Sequence, residues 1–272
     1  MTAPRRDFLI DDDRRLGERF VRDGFVIGDV EDREGLSWIR ERVVEAAAAH
    51  LETDAPADPD AFLNHIGRHV SEATINDFRL SIIRRINALE DLRPSYFSLA
   101  RRSIESLVGN ELAMQRNVNL SIQMPDDQSS VLPLHADVWS GDSPFEMVLW
   151  IPLVDCFATK AMFLLPPDKN QEISRRFRDF DGKPVEALYE AVEPHLRFID
   201  IRFGQFLLFN QNLMHGNRVN AETETRWSMN CRFKSVFSPY AEKRLGEFFE
   251  PITLRPASRI GMEYERPEGF DD

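Results

Sequence analysis

Apolar and polar positions follow two different periods along this chain, with the change near Gln115. Before it, apolar side chains recur at helical spacing. Residues 13–22 predict a short helix, GFVIGDV (24–30) a strand, and REGLSWIRERVVEAAAAH an amphipathic helix rich in Ala, Glu and Arg. ETDAPADPD (52–60) has the prolines and small acidic residues of a loop between helices. Further helices are predicted near 60–70, 73–89 and 94–108, the last opened by Pro94. From Gln115 onward the period is two, and strands are expected at 116–124, 145–152, 160–165, 196–200, 205–209, 213–219 and 226–236. The charged stretch 168–193 reads as an excursion between strands. The expectation is one unit over 1–272: a mainly helical region (1–112), a β core (113–240) with its insert at 168–193, and a tail (241–272). No internal repeat is visible.

Two of the predicted strands have a polar face. In NVNLSIQM, Asn117, Asn119, Ser121 and Gln123 share one side and Val118, Leu120, Ile122 and Met124 the other. In RWSMNCRFK the same separation sets Arg226, Ser228, Asn230, Arg232 and Lys234 against Trp227, Met229, Cys231 and Phe233. A half-exposed sheet would produce this pattern. A cavity lining would too, and amide and guanidinium groups suit it better than they suit a wet surface.

SSVLPLHADVW holds His135 and Asp137 one residue apart, which on an extended strand puts both side chains on one face. A second histidine, His215, follows in FNQNLMHGN. Two imidazoles and one carboxylate form the facial triad that holds Fe(II) and leaves positions open for a cosubstrate and O2. Histidine and aspartate two apart are common as ordinary polar residues, so the downstream partners matter. Arg226 and Ser228 share a strand face beyond His215; a guanidinium grips a carboxylate by two charge-assisted hydrogen bonds, and a serine adds a third donor. Such a pair suits the far carboxylate of 2-oxoglutarate, whose keto-acid end chelates the metal. Gln123 is a candidate for the inner carboxylate, with Asn119 and Ser121 as alternatives, and Arg232 could replace Arg226 as the anchor.

The pattern His135-x-Asp137, His215, Arg226-x-Ser228 resembles the Fe(II)/2-oxoglutarate-dependent oxygenase superfamily, and RFVRDGFVIGDV followed by a helix resembles its phytanoyl-CoA hydroxylase-like branch. RNVNLSIQMPDD, LPLHADVWSGDSPFEMVLWIPLVD and FNQNLMHGN are similar to oxygenases of sporadically distributed bacterial carbohydrate-biosynthesis clusters. The resemblance covers most of the chain. It implies a double-stranded β-helix, a jelly-roll or cupin-like barrel, with the helical region packed on it. It implies Fe(II), 2-oxoglutarate and O2 as the reacting set, with succinate and CO2 released as a sugar or sugar-containing small molecule is oxidised. It places Trp150 beside the cosubstrate and Asn217 in contact with it. Related halogenases carry a small residue in place of the carboxylate, so Asp137 favours hydroxylation; desaturation, epimerisation or ring formation would begin in the same way.

The loop VWSGDSPFE offers Trp139, Asp142 and Glu146 as substrate contacts, though Gly-Asp-Ser-Pro is also ordinary turn chemistry. Arg232 could hold an anionic substrate group or pair with an acidic neighbour. His65 and His69 stand one helical turn apart with no third ligand evident, and His50 and His195 have no chemical context; all four read as structural. Asp11, Asp12 and Asp13 read as a helix start, where negative charge is favoured. Cys156 and Cys231, without paired spacing, are expected as buried reduced thiols. A net charge of −12 argues against nucleic acid. The first residues, MTAPRRDFLIDDDRR, lack the apolar core of a signal peptide, and no apolar stretch approaches the roughly 20 residues that span a bilayer, so a cytoplasmic protein off the membrane is expected. A homodimer is compatible with this reading. Two rival functions share the barrel: a metal-dependent cupin-like isomerase or hydrolase, which leaves Arg226 and Ser228 unexplained, and a ligand-binding barrel without catalysis.

Overall fold

Asp11, Asp12 and Asp13 form the first turn of α1 (Asp11–Asp23), as expected for carboxylates at a helix N-terminus. The helix stops at Gly24, which is left-handed (φ 79°) and donates its N–H to the Phe20 carbonyl. The left-handed conformation favours glycine here, and a Cβ would also press on the end of the Leu213 side chain. The structure is a computed structural model that describes residues 8–269; residues 1–7, part of the segment read for a leader, and 270–272 lie outside the described residues. After β1 (Phe25–Asp29), the helix α2 (Arg33–His50) begins at Asp32, whose carboxylate accepts from the Gly35 N–H at 2.8 Å.

The next helices are more divided than the periodicity predicts. In place of one helix near 60–70, α3 (Pro59–Asn64) ends at His65 and a 3₁₀ turn (Ile66–Arg68) follows. After α4 (Ile75–Asn87), the segment expected as 94–108 forms α5 (Leu92–Ser98) and α6 (Arg101–Val108). The break has a visible cause. The Leu99 carbonyl accepts from the Glu31 amide, and the Glu31 carboxylate accepts from the Arg102 and Ser103 amides, so α6 starts afresh with its own cap. Pro94 lies inside the first turn of α5, where no intrahelical N–H is needed.

The predicted strand 116–124 shortens to β3 (Asn119–Gln123), and a strand outside the predicted range, β2 (Leu112–Gln115), lies upstream of it. They lie in succession along one edge of β9 (Arg226–Ser235), and at the gap the Asn87 side chain supplies both hydrogen bonds to the Val118 backbone. β4 (Glu146–Pro152) and β7 (Gln205–Asn210) complete the centre of a seven-stranded antiparallel sheet, whose path runs β1-β7-β4-β9-β2 and ends on β10 (Phe249–Pro251), with β3 also on β9. The expected tail therefore contributes a strand, and after it α9 (Pro256–Glu263). The strands expected at 160–165, 196–200 and 213–219 contract to β5 (Phe163–Leu164), β6 (Arg197–Phe198) and β8 (His215–Gly216), a small sheet in the order β6-β5-β8. The charged excursion is helical, α7 (Pro167–Arg175) and α8 (Val185–Val192).

Alternation along the large sheet separates its two faces. Leu120 and Ile122 of β3, Met147, Leu149 and Ile151 of β4, Phe206 and Leu208 of β7, and Trp227, Met229, Cys231 and Phe233 of β9 join the principal core with residues of α2 and α4–α6. Val148, Trp150, Leu207 and Phe209 point the other way, packing with Met162, Leu164 and Ile201. Beyond the small sheet, Ile173, Leu188, Tyr189 and Val192 of the excursion close a third cluster on Leu134, Phe163 and Met214. The result is an antiparallel, sheet-rich structure with a helical layer on one face of the large sheet. Both cysteines are free and buried, and burial pushes each thiol up to about 12. Among the described residues, no helix is long and apolar enough to cross a membrane.

Candidate active site

The loop before β4 runs beside β8, where His135 and His215 exchange both backbone hydrogen bonds (2.9 and 2.7 Å). This directly opposed pair sets the imidazoles 4.3 Å apart, centroid to centroid. Gly216 belongs to the same approach, since a Cβ there would lie 2.7 Å from the Leu132 carbonyl oxygen. The extended strand expected through His135 and Asp137 ends at Ala136 (φ −124°, ψ 136°), and Asp137 opens a 3₁₀ turn over Asp137–Ser140. One extended residue is enough: Asp137 Oδ1 lies 3.3 Å from His135 Nε2 and 3.6 Å from His215 Nε2.

The hydrogen bonds around this trio define what it can hold. Each imidazole directs Nδ1 at a carbonyl two residues back, His135 to Pro133 and His215 to Leu213, both at 2.8 Å. A carbonyl only accepts, so Nδ1 carries the proton in each ring and Nε2 faces the carboxylate. Burial pushes His215 down to about 4, which keeps it neutral near pH 7, with an Nε2 lone pair aimed at a carboxylate oxygen. Burial also opposes charge on Asp137, but a hydrogen bond from His135 and the positive charge of Arg232 hold its carboxyl well below the usual range. A proton on His135 could answer one of the two contacts. A divalent cation answers both, and the three ligand atoms lie within 4.8 Å of one another.

A cavity of about 120 Å³ adjoins the trio, walled by Val148, Trp150, Met162 and Phe209 and floored by Ser121, Arg226, Ser228, Asn230 and Arg232. Arg226 is fully buried, which lowers its guanidinium to about 10. It donates to the Ser121 hydroxyl (3.1 Å); among the described residues its Nε has no partner and no carboxylate pairs with it. The buried Ser228 hydroxyl is likewise without a partner among them. An uncompensated cation and an idle hydroxyl side by side form a receptor for an anion.

No protein-family model matches the chain, and no curated protein matches it in sequence. Solved structures do match. ThoJ, a non-haem monooxygenase in its apo form, superposes with a TM-score of 0.52 at 16% identity over 88% of this chain and 84% of that one. EctD from S. alaskensis with 2-oxoglutarate and 5-hydroxyectoine gives 0.52 at 18%, over 86% and 80%. SnoN, a non-haem α-ketoglutarate-dependent epimerase from nogalamycin biosynthesis, gives 0.50 at 16%, over 84% and 85%. This chain has the fold of the non-haem 2-oxoglutarate oxygenases.

Within that oxygenase fold, the residues singled out in the sequence separate into three groups. His135, Asp137, His215, Arg226, Ser228, Trp150, Asn217 and Arg232 all line the one cavity. Gln123 does not: it is fully buried, gives its amide hydrogens to the Arg218 carbonyl and turns its oxygen toward Asn217, while Ser121 from the same polar face meets Arg226. Trp139, Asp142 and Glu146 stand outside the lining. Trp139 is exposed, its ring 5.1 Å from that of Phe177 in the excursion. Asp142 pairs with Arg232 and Lys243, and Glu146 accepts from the Ser143 amide and the Gln211 side chain. Arg232 takes the acidic-neighbour option, with Nη2 2.7 Å from Asp137 Oδ2.

Two participants were not anticipated. Gln211 is buried and accepts from Arg232, and Lys243 comes from the tail. Asn230, named only as part of a polar face, lines the cavity with its oxygen taken by Asn119. Of the other histidines, the His50 ring meets Phe78 edge-on at 5.4 Å, and His69 lies against Phe62.

Proposed function

We propose that the chain is an Fe(II)- and 2-oxoglutarate-dependent oxygenase that oxidises a small molecule, a sugar or sugar-containing compound, and that residues 1–272 form one catalytic unit around a closed double-stranded β-helix of the phytanoyl-CoA hydroxylase-like branch. The supporting observation is the juxtaposition of three converging acceptors with a buried guanidinium that has no counter-ion among the described residues. A site for metal alone needs the first and not the second.

His135, Asp137 and His215 would hold the iron; Arg226, Ser228 and Ser121 would hold the far carboxylate of 2-oxoglutarate, with Trp150 and Asn217 beside it. When bound, the pair activates O2 and couples decarboxylation of 2-oxoglutarate to succinate with oxidation of the substrate. The residues of the chain prepare for this in three ways. The Pro133 and Leu213 carbonyls fix both tautomers and ring attitudes. Arg232 is already committed to Asp137 and Asp142, which leaves Arg226 as the anchor. Val148, Met162 and Phe209 keep the inner wall apolar and exclude water. The cavity is well below the roughly 300–1,000 Å³ of usual ligand sites. It therefore suits a cosubstrate, with the substrate approaching from outside it.

The test is an anaerobic titration of the protein with Fe(II) and 2-oxoglutarate, followed by admission of O2. A weak visible charge-transfer band from the chelated keto acid, then succinate formation, is expected. Metal binding without the band and without succinate would transfer the site to Lewis-acid chemistry, and absence of metal binding would make the chain a binding barrel. The sugar assignment falls if carbohydrates do not accelerate succinate formation while non-carbohydrate compounds do.

A further inference from the structure

Asp137 uses its two oxygens differently. Oδ1 faces both imidazoles, whereas Oδ2 accepts from Arg232 Nη2 at 2.7 Å. The guanidinium does not depend on that contact alone. Its Nε lies 3.0 Å from Gln211 Oε1 and 3.1 Å from Asp142 Oδ1, and Nη1 lies 3.3 Å from Gln115 Oε1. Asp142 in turn is paired with Lys243 of the tail, and the adjacent Ser143 hydroxyl donates to the Pro239 carbonyl at 2.6 Å. A chain of alternating charge, Asp137, Arg232, Asp142, Lys243, thus runs from the candidate metal site to the tail.

This arrangement has a consequence for coordination. A carboxylate with both oxygens free can rotate, or can take a metal with both at once and occupy a second position. With Oδ2 held by a planar guanidinium that Gln211 and Gln115 orient by hydrogen bonds and Asp142 by charge, only Oδ1 is offered. We propose that Arg232 is a positioning residue for the metal site: it confines Asp137 to one-oxygen ligation and so keeps a coordination position open, with Asp142 and Lys243 holding it in place. The proposal rests on reading His135, Asp137 and His215 as the metal ligands.

The experiment is Co(II) titration of the full-length protein, read by the visible ligand-field spectrum, followed by 2-oxoglutarate titration at saturating metal. Arg232→Gln is expected to weaken Co(II) binding by about 10–100-fold, the usual cost of losing a partner of a metal ligand, and to alter the spectrum. Arg226→Gln is expected to show the reverse pattern, with wild-type metal binding and weakened 2-oxoglutarate. Arg232→Lys keeps a cation between the two carboxylates and so protects the fold; a single ammonium cannot reproduce the fork, so it should fall between wild type and Arg232→Gln. It decides the matter should the glutamine variant not fold. Wild-type Co(II) affinity and spectrum in the lysine variant, or in a folded glutamine variant, would overturn the proposal. So would loss of 2-oxoglutarate binding with metal binding intact, which would make Arg232 a cosubstrate anchor. Failure of the wild type to bind metal at all overturns the oxygenase reading itself and is seen before any variant is made.

Discussion

The two faces of β9 differ by more than polarity. Toward the helices, Trp227, Met229, Cys231 and Phe233 are fully buried in the principal core, and the indole N–H of Trp227 finds the Leu63 carbonyl at 2.8 Å. Every requirement on that face is met by the protein. Toward the cavity, Arg226 and Ser228 are nearly as buried, yet a guanidinium nitrogen and a hydroxyl have no partner among the described residues. Folding alone gives no reason to bury an unpaired cation. The contrast teaches that stability and chemistry are assigned to alternate residues of a single strand, so substitutions one position apart should have opposite consequences.

The largest effect should come from the candidate ligands across the cavity from that strand. His135→Ala or Asp137→Ala is expected to reduce succinate formation to background; His135→Ala should leave far-ultraviolet circular dichroism and cooperative unfolding near wild type, because it lies outside the principal core, whereas Asp137→Ala also removes a buried partner of Arg232 and should unfold more readily. Full turnover in either variant would remove the triad. Next is the apolar face: Trp227→Ala should cost about 3–5 kcal/mol in denaturant unfolding, the range for deleting a large buried aromatic. At saturating metal and cosubstrate, the fraction that remains folded should turn over normally. A turnover defect in the folded protein would mean the two faces are not independent.

Arg226→Met sharpens the comparison further because its two effects should have opposite signs. Binding of 2-oxoglutarate should weaken by about 2–3 kcal/mol, or roughly a hundredfold, since charge-assisted hydrogen bonds are lost. The protein without ligands should become more stable by about 1–3 kcal/mol, because a buried guanidinium without a counter-ion is replaced by an apolar chain of similar length. Thermal unfolding with and without 2-oxoglutarate reads both quantities. Destabilisation of the ligand-free variant would show that Arg226 supports the fold.

The alternation that divides β9 was legible in the residues themselves, and so were the triad, the Arg226–Ser228 pair and the change from helices to strands near Gln115. What could not be read depended on contacts between distant segments. Leu99 ends a helix because Glu31 takes its carbonyl, and Val118 interrupts an edge because Asn87 takes its backbone. Neither partner is marked by local pattern. The roles of Asp142, Glu146 and Lys243 were hidden for the same reason: in the sequence a carboxylate in a turn and a lysine in a tail look solvated, and only the fold presses them together. Gln123 and Ser121 occupy the same polar face, and the choice between them depends on the reach of Arg226, which a face pattern does not encode.

Glu146 offers the smallest and most specific test of this hidden layer. Its carboxylate sits behind the site, accepting from the Ser143 amide at 2.9 Å and Gln211 Nε2 at 3.0 Å. Burial pushes its carboxyl up to about 7; those hydrogen bonds work against the rise, and the neighbouring Asp142 adds to it. In the unfolded chain the same group ionises near its ordinary value of 4.5. Between those two values the folded state holds more protons than the unfolded state, so the contribution of Glu146 to stability is full below about 4.5 and is lost as pH rises toward 7. Glu146→Gln cannot ionise and should escape that loss. Measured on the metal-free protein, the variant should gain about 1 kcal/mol relative to wild type between pH 4.5 and 7. A tenfold change in a protonation equilibrium is worth about 1.36 kcal/mol, and solvent reaching part of the layer keeps the gain below what the full interval would give. A difference independent of pH would mean that Glu146 ionises in the folded protein as it does in water, and that the polar layer behind Arg232 is more hydrated than its burial suggests.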